Sequence, residues 1–182
     1  MGRQRAPSRE WGPSPSVSNP REVLLTEVLA FVRAAAATPG VIRIALVGSL
    51  ATPKPIPKDA DVLVSVEDGV SLTRLATVAR RLKGRAGNIN LGADIFLCDP
   101  AGRYFGRVCG YRECRPRVLC EARHCGERDH LNDDLHRVTL QPELTRAPPF
   151  VLWPEVHRAE KAPDDVERLL LLPLERAQAN LS

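Results

Sequence analysis

Apolar residues recur at helical spacing in two stretches of the first half of the chain. The first stretch follows Asn19, a residue type that caps helices, and Pro20, which suits the first helical position. It ends near Ala37, before a Thr-Pro-Gly sequence that stops helices. The second stretch runs from Leu72 to Leu82, and its basic residues lie largely off the apolar stripe. This pattern predicts two amphipathic helices.

Three other stretches have the residue pattern of β-strands. Residues 41–47 and 62–66 are short and rich in β-branched side chains. Residues 88–98 alternate between apolar positions on one side and a second set that includes Asp94. The order of these elements predicts an α/β (α+β) fold, in which helices cover one face of a small mixed sheet.

The second half of the chain is less regular. Residues 138–140 and 150–153 predict short strands, and residues 164–176 predict a weak, partly frayed helix that Pro173 interrupts. We therefore divide the chain into a disordered N-terminal segment, an α/β core, a Cys/Arg-rich extension that completes the domain, and a C-terminal tail. These parts cover residues 1–20, 21–100, 101–160 and 161–182.

Composition narrows the class of protein only slightly. Of the 182 residues, 43% are hydrophobic and 26% are charged, which is typical of a globular domain. Aromatic residues make up only 4%, which argues against a stacking platform for unpaired bases. The net charge of +4 is compatible with phosphate or RNA binding. The chain has no long apolar run and no secretory h-region, so we expect a cytoplasmic protein without a membrane partner.

Two acids at the start of the second strand are the main candidates for chemistry. Asp59 and Asp61 are one residue apart on an extended chain, so their side chains point to the same face. Such a pair can bind one divalent cation or bridge two. Upstream, Gly48 and Ser49 form a turn in which the missing Cβ lets backbone N–H groups approach a phosphate. Together they indicate phosphoryl or nucleotidyl transfer.

This arrangement resembles the nucleotidyltransferase superfamily, which includes DNA polymerase beta, the aminoglycoside nucleotidyltransferases and the minimal nucleotidyltransferases of toxin–antitoxin loci. The shared pattern is an apolar run, Gly48-Ser49, a nine-residue spacer, Asp59-x-Asp61 between apolar residues, and a later strand with Asp94. The resemblance covers residues 21–98. It implies a nucleotidyltransferase-like core followed by the Cys/Arg-rich extension.

The resemblance also implies a reaction. Asp59, Asp61 and Asp94 would hold two magnesium ions, and Asp94 would accept the proton of the attacking hydroxyl. Gly48 and Ser49 would bind the terminal phosphates of an NTP, most simply ATP. The protein would transfer a nucleoside monophosphate to an unidentified acceptor, which is a small molecule, a protein or an RNA. The alternative is a catalytically inactive domain of the same fold that binds RNA or a partner protein.

One feature departs from the family pattern. In many members Gly-Ser opens a helix that carries a basic residue, whereas here Pro53, Pro55 and Pro57 follow. We therefore expect at most one helical turn after Ser49, because proline does not continue a helix. Lys58, with Lys54 as the alternative, would supply the positive charge for the phosphates.

Four cysteines in the extension suggest a second metal site. Their spacing is C-x4-C-x5-C-x4-C, and His124 adjoins the last one as a substitute ligand. Four thiolates, or three and an imidazole, suit a structural zinc ion. The four residues are Cys109, Cys114, Cys120 and Cys125. The alternative is four reduced, partly buried thiols, and Cys98, at a strand end, is expected to lie in the core.

Two further groups of polar residues have a simple interpretation and a functional one. Seven arginines of the extension either form a solvated face or bind RNA or the NTP polyphosphate. They are Arg103, Arg107, Arg112, Arg115, Arg117, Arg123 and Arg128. The cluster His130, Asp133, Asp134 and His136 is predicted to carry ordinary solvated charges, with metal binding or acceptor positioning as the alternative.

Overall fold

A computed structural model of the protein describes residues 19–111 and 128–180. Helix α1 (Pro20–Ala36) begins where the capping pattern predicts, because the Asn19 side chain accepts a hydrogen bond from the Arg21 N–H over 3.1 Å. Helix α2 (Thr73–Gly87) corresponds to the second predicted helix. None of the helices within these two ranges has both the length and the apolar character needed to cross a membrane.

The strands of the described residues form one mixed sheet in the order β5-β4-β3-β2-β1-β6-β7. They are β1 (Val41–Val47), β2 (Asp59–Val66), β3 (Gly92–Cys98), β4 (Tyr104–Val108), β5 (Leu131–Asn132), β6 (Phe150–Trp153) and β7 (His157–Arg158). Strands β2 and β3 pair in parallel because α2 makes the crossover between them, and the other neighbours pair antiparallel. The predicted α/β class with a mixed sheet is confirmed.

The two faces of the sheet differ in what covers them. On β2, alternate residues such as Val62 and Val64 join the large core formed with α1, α2 and the C-terminal helix. Leu63 joins a smaller cluster on the opposite face, which includes Phe96 of β3. Side chains alternate along a strand, so Asp59 and Asp61 lie on the face of the smaller cluster. Helices α1 and α2 pack on the opposite face, in the large core.

The C-terminal helix is better ordered than predicted. It begins with α4 (Asp164–Val166), continues through a π-helical turn (Glu167–Leu171) and ends with α5 (Leu172–Ala179). Pro173 lies at the first turn of α5, where the widened π turn accommodates its missing N–H. Leu170 and Leu171 of the π turn are fully buried in the core. The prediction of a frayed helix is therefore wrong, because packing outweighs the proline.

The sheet also differs from prediction at the starts of two strands and in one predicted strand that does not form. Strand β2 begins at Asp59 rather than Val62, because Asp59 already pairs with Gly92 of β3. Strand β3 begins at Gly92 rather than at residue 88, because α2 continues to Gly87 and a turn with Asn90 at φ 58° follows. Residues 138–140 form no strand; a short helix α3 (Pro142–Arg146) lies between them and β6.

Candidate metal centre

Three carboxylates from two neighbouring strands meet on the face of the sheet that carries the smaller cluster. Asp61 of β2 is the register partner of Asp94 of β3. Asp59 lies two residues before Asp61 on the same strand, so its side chain points to the same face. Adjacent strands are about 4.8 Å apart. One oxygen from each of the three acids lies within 4.8 Å of the other two. Among the described residues, they are the one group of His, Cys, Asp and Glu close enough to hold a metal ion.

The Asp61 carboxyl of this group has a strongly raised pKa. Burial, followed by the negative charges of Asp59 and Asp94, raises the pKa of the Asp61 carboxyl from 3.8 to about 7. A hydrogen bond with Asp59 acts in the same direction, and the positive charge of Arg107 partly opposes it. The acids therefore hold a proton near neutral pH when no cation balances their charge, and a divalent ion would replace that proton.

Gly48 brings the backbone against this carboxylate. It follows β1 with φ of 70°, a conformation that L side chains rarely adopt. A Cβ at this position would lie 2.1 Å from Asp61 Oδ2, so no side chain fits there. The backbone at Gly48 therefore lies directly against the Asp61 carboxylate, and the predicted approach of this turn to a phosphate stays a prediction.

Ser49 and the proline-rich loop close the site on the side of β1. The predicted single turn is present as a 3₁₀ helix (Ser49–Ala51), after which the chain leaves helical geometry. The Ser49 hydroxyl accepts a hydrogen bond from the Lys58 N–H over 3.3 Å. The Lys58 side chain is exposed directly before Asp59, so the two ends of the loop meet beside the acids.

Arg21 of α1 binds the backbone of the same loop. Its guanidinium donates to the carbonyl oxygens of Leu50 and Lys54, each over 3.0 Å, and forms an ion pair with Asp165 of the C-terminal helix. Arg21 is buried, and buried guanidinium groups need such partners. The loop that carries Ser49 is therefore anchored to two helices.

Two basic residues contact Asp94: Lys83, which the sequence did not single out, and Arg107, which was predicted only as one of seven arginines of a solvated face or a phosphate-binding patch. Arg107 Nη1 donates to Asp94 Oδ2 over 3.1 Å, and Lys83 Nζ lies 3.8 Å from Asp94 Oδ1. Arg107 lies on β4 opposite Phe96, two residues beyond Asp94. A sequence signal exists for Arg107: folding residues 94–108 as a hairpin about the turn at Asp99–Gly102 brings it to this face.

Asp134 was predicted to be solvated, and this prediction is wrong. The Asp134 side chain is buried and forms an ion pair with Arg107, on the side away from Asp94. Asp133 is buried as well. Both residues directly follow β5, and Asp134 pairs with Arg107, 27 residues away in the sequence, so the position of Asp134 results from tertiary packing rather than local sequence.

The arginines of the extension that the structure describes each have a partner within the protein, and the predicted patch stays a prediction. Arg103 forms an ion pair with Asp99 over 3.0 Å. Arg128 lies over the Phe105 ring at 4.9 Å and donates to a backbone oxygen. Arg107 belongs to the acidic site. The other four predicted positions, Arg112, Arg115, Arg117 and Arg123, lie outside the described residues.

The zinc prediction stays a prediction. Cys109 is a free, half-buried cysteine at the end of β4, and its three predicted partners and His124 lie outside the described residues. Cys98 is fully buried, as predicted, and its sulfur lies 3.1 Å from the Ser65 hydroxyl. Burial raises the pKa of the Cys98 thiol, so this cysteine is a core residue without thiolate character.

Comparisons of the chain with protein-family models, with curated proteins and with solved structures give no match.

Proposed function

We propose that the protein is a divalent-cation-dependent nucleotidyltransferase. It transfers a nucleoside monophosphate from an NTP, most simply ATP, to a hydroxyl group and releases pyrophosphate. The observation that carries this proposal is the convergence of Asp59, Asp61 and Asp94, whose oxygens lie within 4.8 Å of one another on adjacent parallel strands. The position of Gly48 and Ser49 beside these acids supports it.

The donor set fits magnesium. Magnesium takes carboxylate oxygens, keeps several water ligands and is commonly shared with substrate phosphates. Burial, and then the negative charges of Asp59 and Asp94, raise the pKa of Asp61, and a divalent ion bound by the three acids would relieve this repulsion. Asp59, Asp61 and Asp94 would hold the metal. When bound, it would supply charge stabilisation for the attacking and leaving oxygens.

The other residues of the site have roles that follow from their positions. The Gly48 backbone lies against the Asp61 carboxylate, and Ser49 is the next residue. Both can bind phosphate oxygens, with the exposed Lys58 side chain adding positive charge. Asp94 would take the proton of the acceptor hydroxyl. Correct positioning of the two substrates supplies most of the rate.

The position of a ³²P label in ATP distinguishes transfer of a nucleoside monophosphate from transfer of the terminal phosphate. We expect label from [α-³²P]ATP, but not from [γ-³²P]ATP, to appear on an acceptor when magnesium is present. The acceptors to offer are small hydroxyl compounds, RNA and protein in separate reactions. The variant Asp59→Asn/Asp61→Asn should lose transfer, whereas Asp68→Asn, an exposed acid in the turn after β2, should retain it. Transfer of the γ-label would contradict the proposal.

One observation favours the alternative of a non-catalytic binding domain. Arg107 and Lys83 already place positive charge on both oxygens of Asp94, so this acid is balanced without a metal ion. A domain that uses the fold only as a scaffold would keep such ion pairs permanently. Titration with a divalent cation separates the two functions, because the scaffold would bind none at the acids.

A further inference from the structure

Arg107 connects the acidic site to a carboxylate buried beneath it. One guanidinium nitrogen, Nη1, donates to Asp94 Oδ2 over 3.1 Å, and the other, Nη2, donates to Asp134 Oδ2. Both Asp94 and Asp134 raise the pKa of Arg107, so the guanidinium stays charged despite its burial. One cation is therefore shared between two acids that lie on different elements.

The two ends of this bridge are unequal. The side chain of Asp134 is 3% exposed, whereas that of Asp94 is 27% exposed. Asp134 Oδ1 and Arg107 Nε are buried and have no hydrogen-bond partner among residues 19–111 and 128–180. If Arg107 left Asp134, it would leave a buried, unpaired carboxylate, which is strongly unfavourable. If it left Asp94, water or another cation could replace it. Asp134 is thus the anchor, and Asp94 is the exchangeable end.

A cation that enters the acidic site meets Arg107 at Asp94. Arg107 covers Oδ2, and Lys83, whose side chain is 53% exposed, is the weaker neighbour at Oδ1 over 3.8 Å. On the basis of the proposed function, we propose that Arg107 is a positioning residue that neutralises Asp94 in the metal-free protein and releases it when a divalent ion binds. Asp134 holds Arg107 in place throughout.

The guanidinium of Arg107, once released from Asp94, can bind a phosphate group. Its Nη1 group is then free beside the acids, and guanidinium donors match phosphate oxygens well. The same positive charge would pass from a protein carboxylate to the triphosphate that arrives with the metal. Arg107 therefore exchanges the Asp94 carboxylate for a phosphate group while its own position stays fixed. The class of ligand that suits this site is a metal-bound polyphosphate.

Opposite shifts in metal affinity distinguish this role from a structural one. We would titrate Mn²⁺ alone, near pH 8, and follow the free ion by its electron paramagnetic resonance signal. Arg107→Gln removes the competing cation, so Mn²⁺ should bind about tenfold more tightly than to the wild type. Asp134→Asn removes the anchor charge and leaves Arg107 with Asp94 alone, so Mn²⁺ should bind several-fold more weakly.

A double variant guards against loss of folding. Arg107→Gln leaves Asp134 without its partner, whereas Arg107→Gln/Asp134→Asn replaces the ion pair by two neutral amides that can hydrogen-bond. This double variant should also bind Mn²⁺ more tightly than the wild type, and its circular dichroism should be unchanged. Weaker binding in all three variants would overturn the role of Arg107 and leave the metal site intact. Absence of Mn²⁺ binding to the wild type would overturn the proposed function, and this inference with it.

Discussion

Asp61 and Asp94 are register partners on the parallel strands β2 and β3. Register partners on neighbouring strands point to the same face, so the sheet itself sets the separation of the two carboxylates. The mutual repulsion of these acids is a direct product of the backbone pairing. Several consequences for stability and binding follow from it.

The contribution of Asp61 to the stability of the metal-free protein should fall as the pH rises. The pKa of Asp61 is about 7 in the folded protein and near 3.8 when unfolded, so between these values the folded state binds more protons. Its stabilising contribution is present below pH 4 and is lost by the time the pH exceeds 7. Asp61→Asn should therefore match the wild type near pH 4 and exceed it near pH 8, by on the order of 2 kcal/mol.

Urea unfolding with a chelator present, at a series of pH values, measures this difference. Asp68→Asn is the matched control, because Asp68 is exposed in a turn and its replacement should not alter the pH profile. Parallel stability curves for the wild type and Asp61→Asn across this pH range would show that burial and the neighbouring acids do not raise the pKa of Asp61.

Gly48→Ala should disrupt the site through a steric contact with Asp61. The new Cβ would lie 2.1 Å from Asp61 Oδ2, and the backbone at φ 70° adds strain of about 1–3 kcal/mol. Metal affinity, measured by Mn²⁺ titration, should fall at least about tenfold, since displacement of one carboxylate breaks the ligand set. Gly69→Ala is the control: Gly69 also has φ of 70°, but a Cβ there has nothing within 4 Å. Equal metal affinity in the two variants would contradict the close approach.

Arg21→Ala should destabilise the protein and the loop that carries Ser49. The change leaves Asp165 and the carbonyl oxygens of Leu50 and Lys54 without their donor. Acceptors that lose their donor in a largely buried position cost about 1–3 kcal/mol. Urea unfolding should show this loss, while Arg33→Ala, which removes an exposed arginine from the same helix, should change stability by less than about 0.5 kcal/mol. Similar values for both variants would rule out the anchor.

The C-terminal helix should contribute to stability through specific leucines. Leu170 is fully buried in the main core, so Leu170→Ala should cost about 2–5 kcal/mol. Leu172 is 36% exposed, and Leu172→Ala should cost much less. Thermal unfolding of the pair measures the contrast. A small effect at both positions would mean that the helix packs only loosely on α1.

Local signals in the sequence predicted the elements that they control. Asn19 and Pro20 define the start of α1, and the β-branched run of residues 41–47 became β1 with the predicted bounds. The proline-rich segment after Ser49 limits helix formation to one turn, as expected. The alternation around Asp94 placed that acid on the same face as Asp59 and Asp61, which is the relationship on which the candidate site depends.

Other features depend on contacts between distant residues and had no local signal. Asp59 lies in a strand because it pairs with β3, although its polar neighbours disfavour strands. Leu170 and Leu171 keep the C-terminal helix ordered by packing against the core, which outweighs Pro173. Asp134 is 27 residues from Arg107, and only the folded chain brings the two together. Sequence periodicity reports which face a side chain occupies but not its partner.

Magnesium-dependent binding of ATP tests the central claim most directly, because it requires no knowledge of the acceptor. Equilibrium dialysis with radiolabelled ATP should show binding by the wild type in magnesium and none in excess chelator. Asp59→Asn/Asp61→Asn should bind no ATP in magnesium, and Asp68→Asn should bind as the wild type does. A wild-type protein that binds no ATP with magnesium, or binds it equally well without the metal, would contradict the proposed nucleotidyltransferase site.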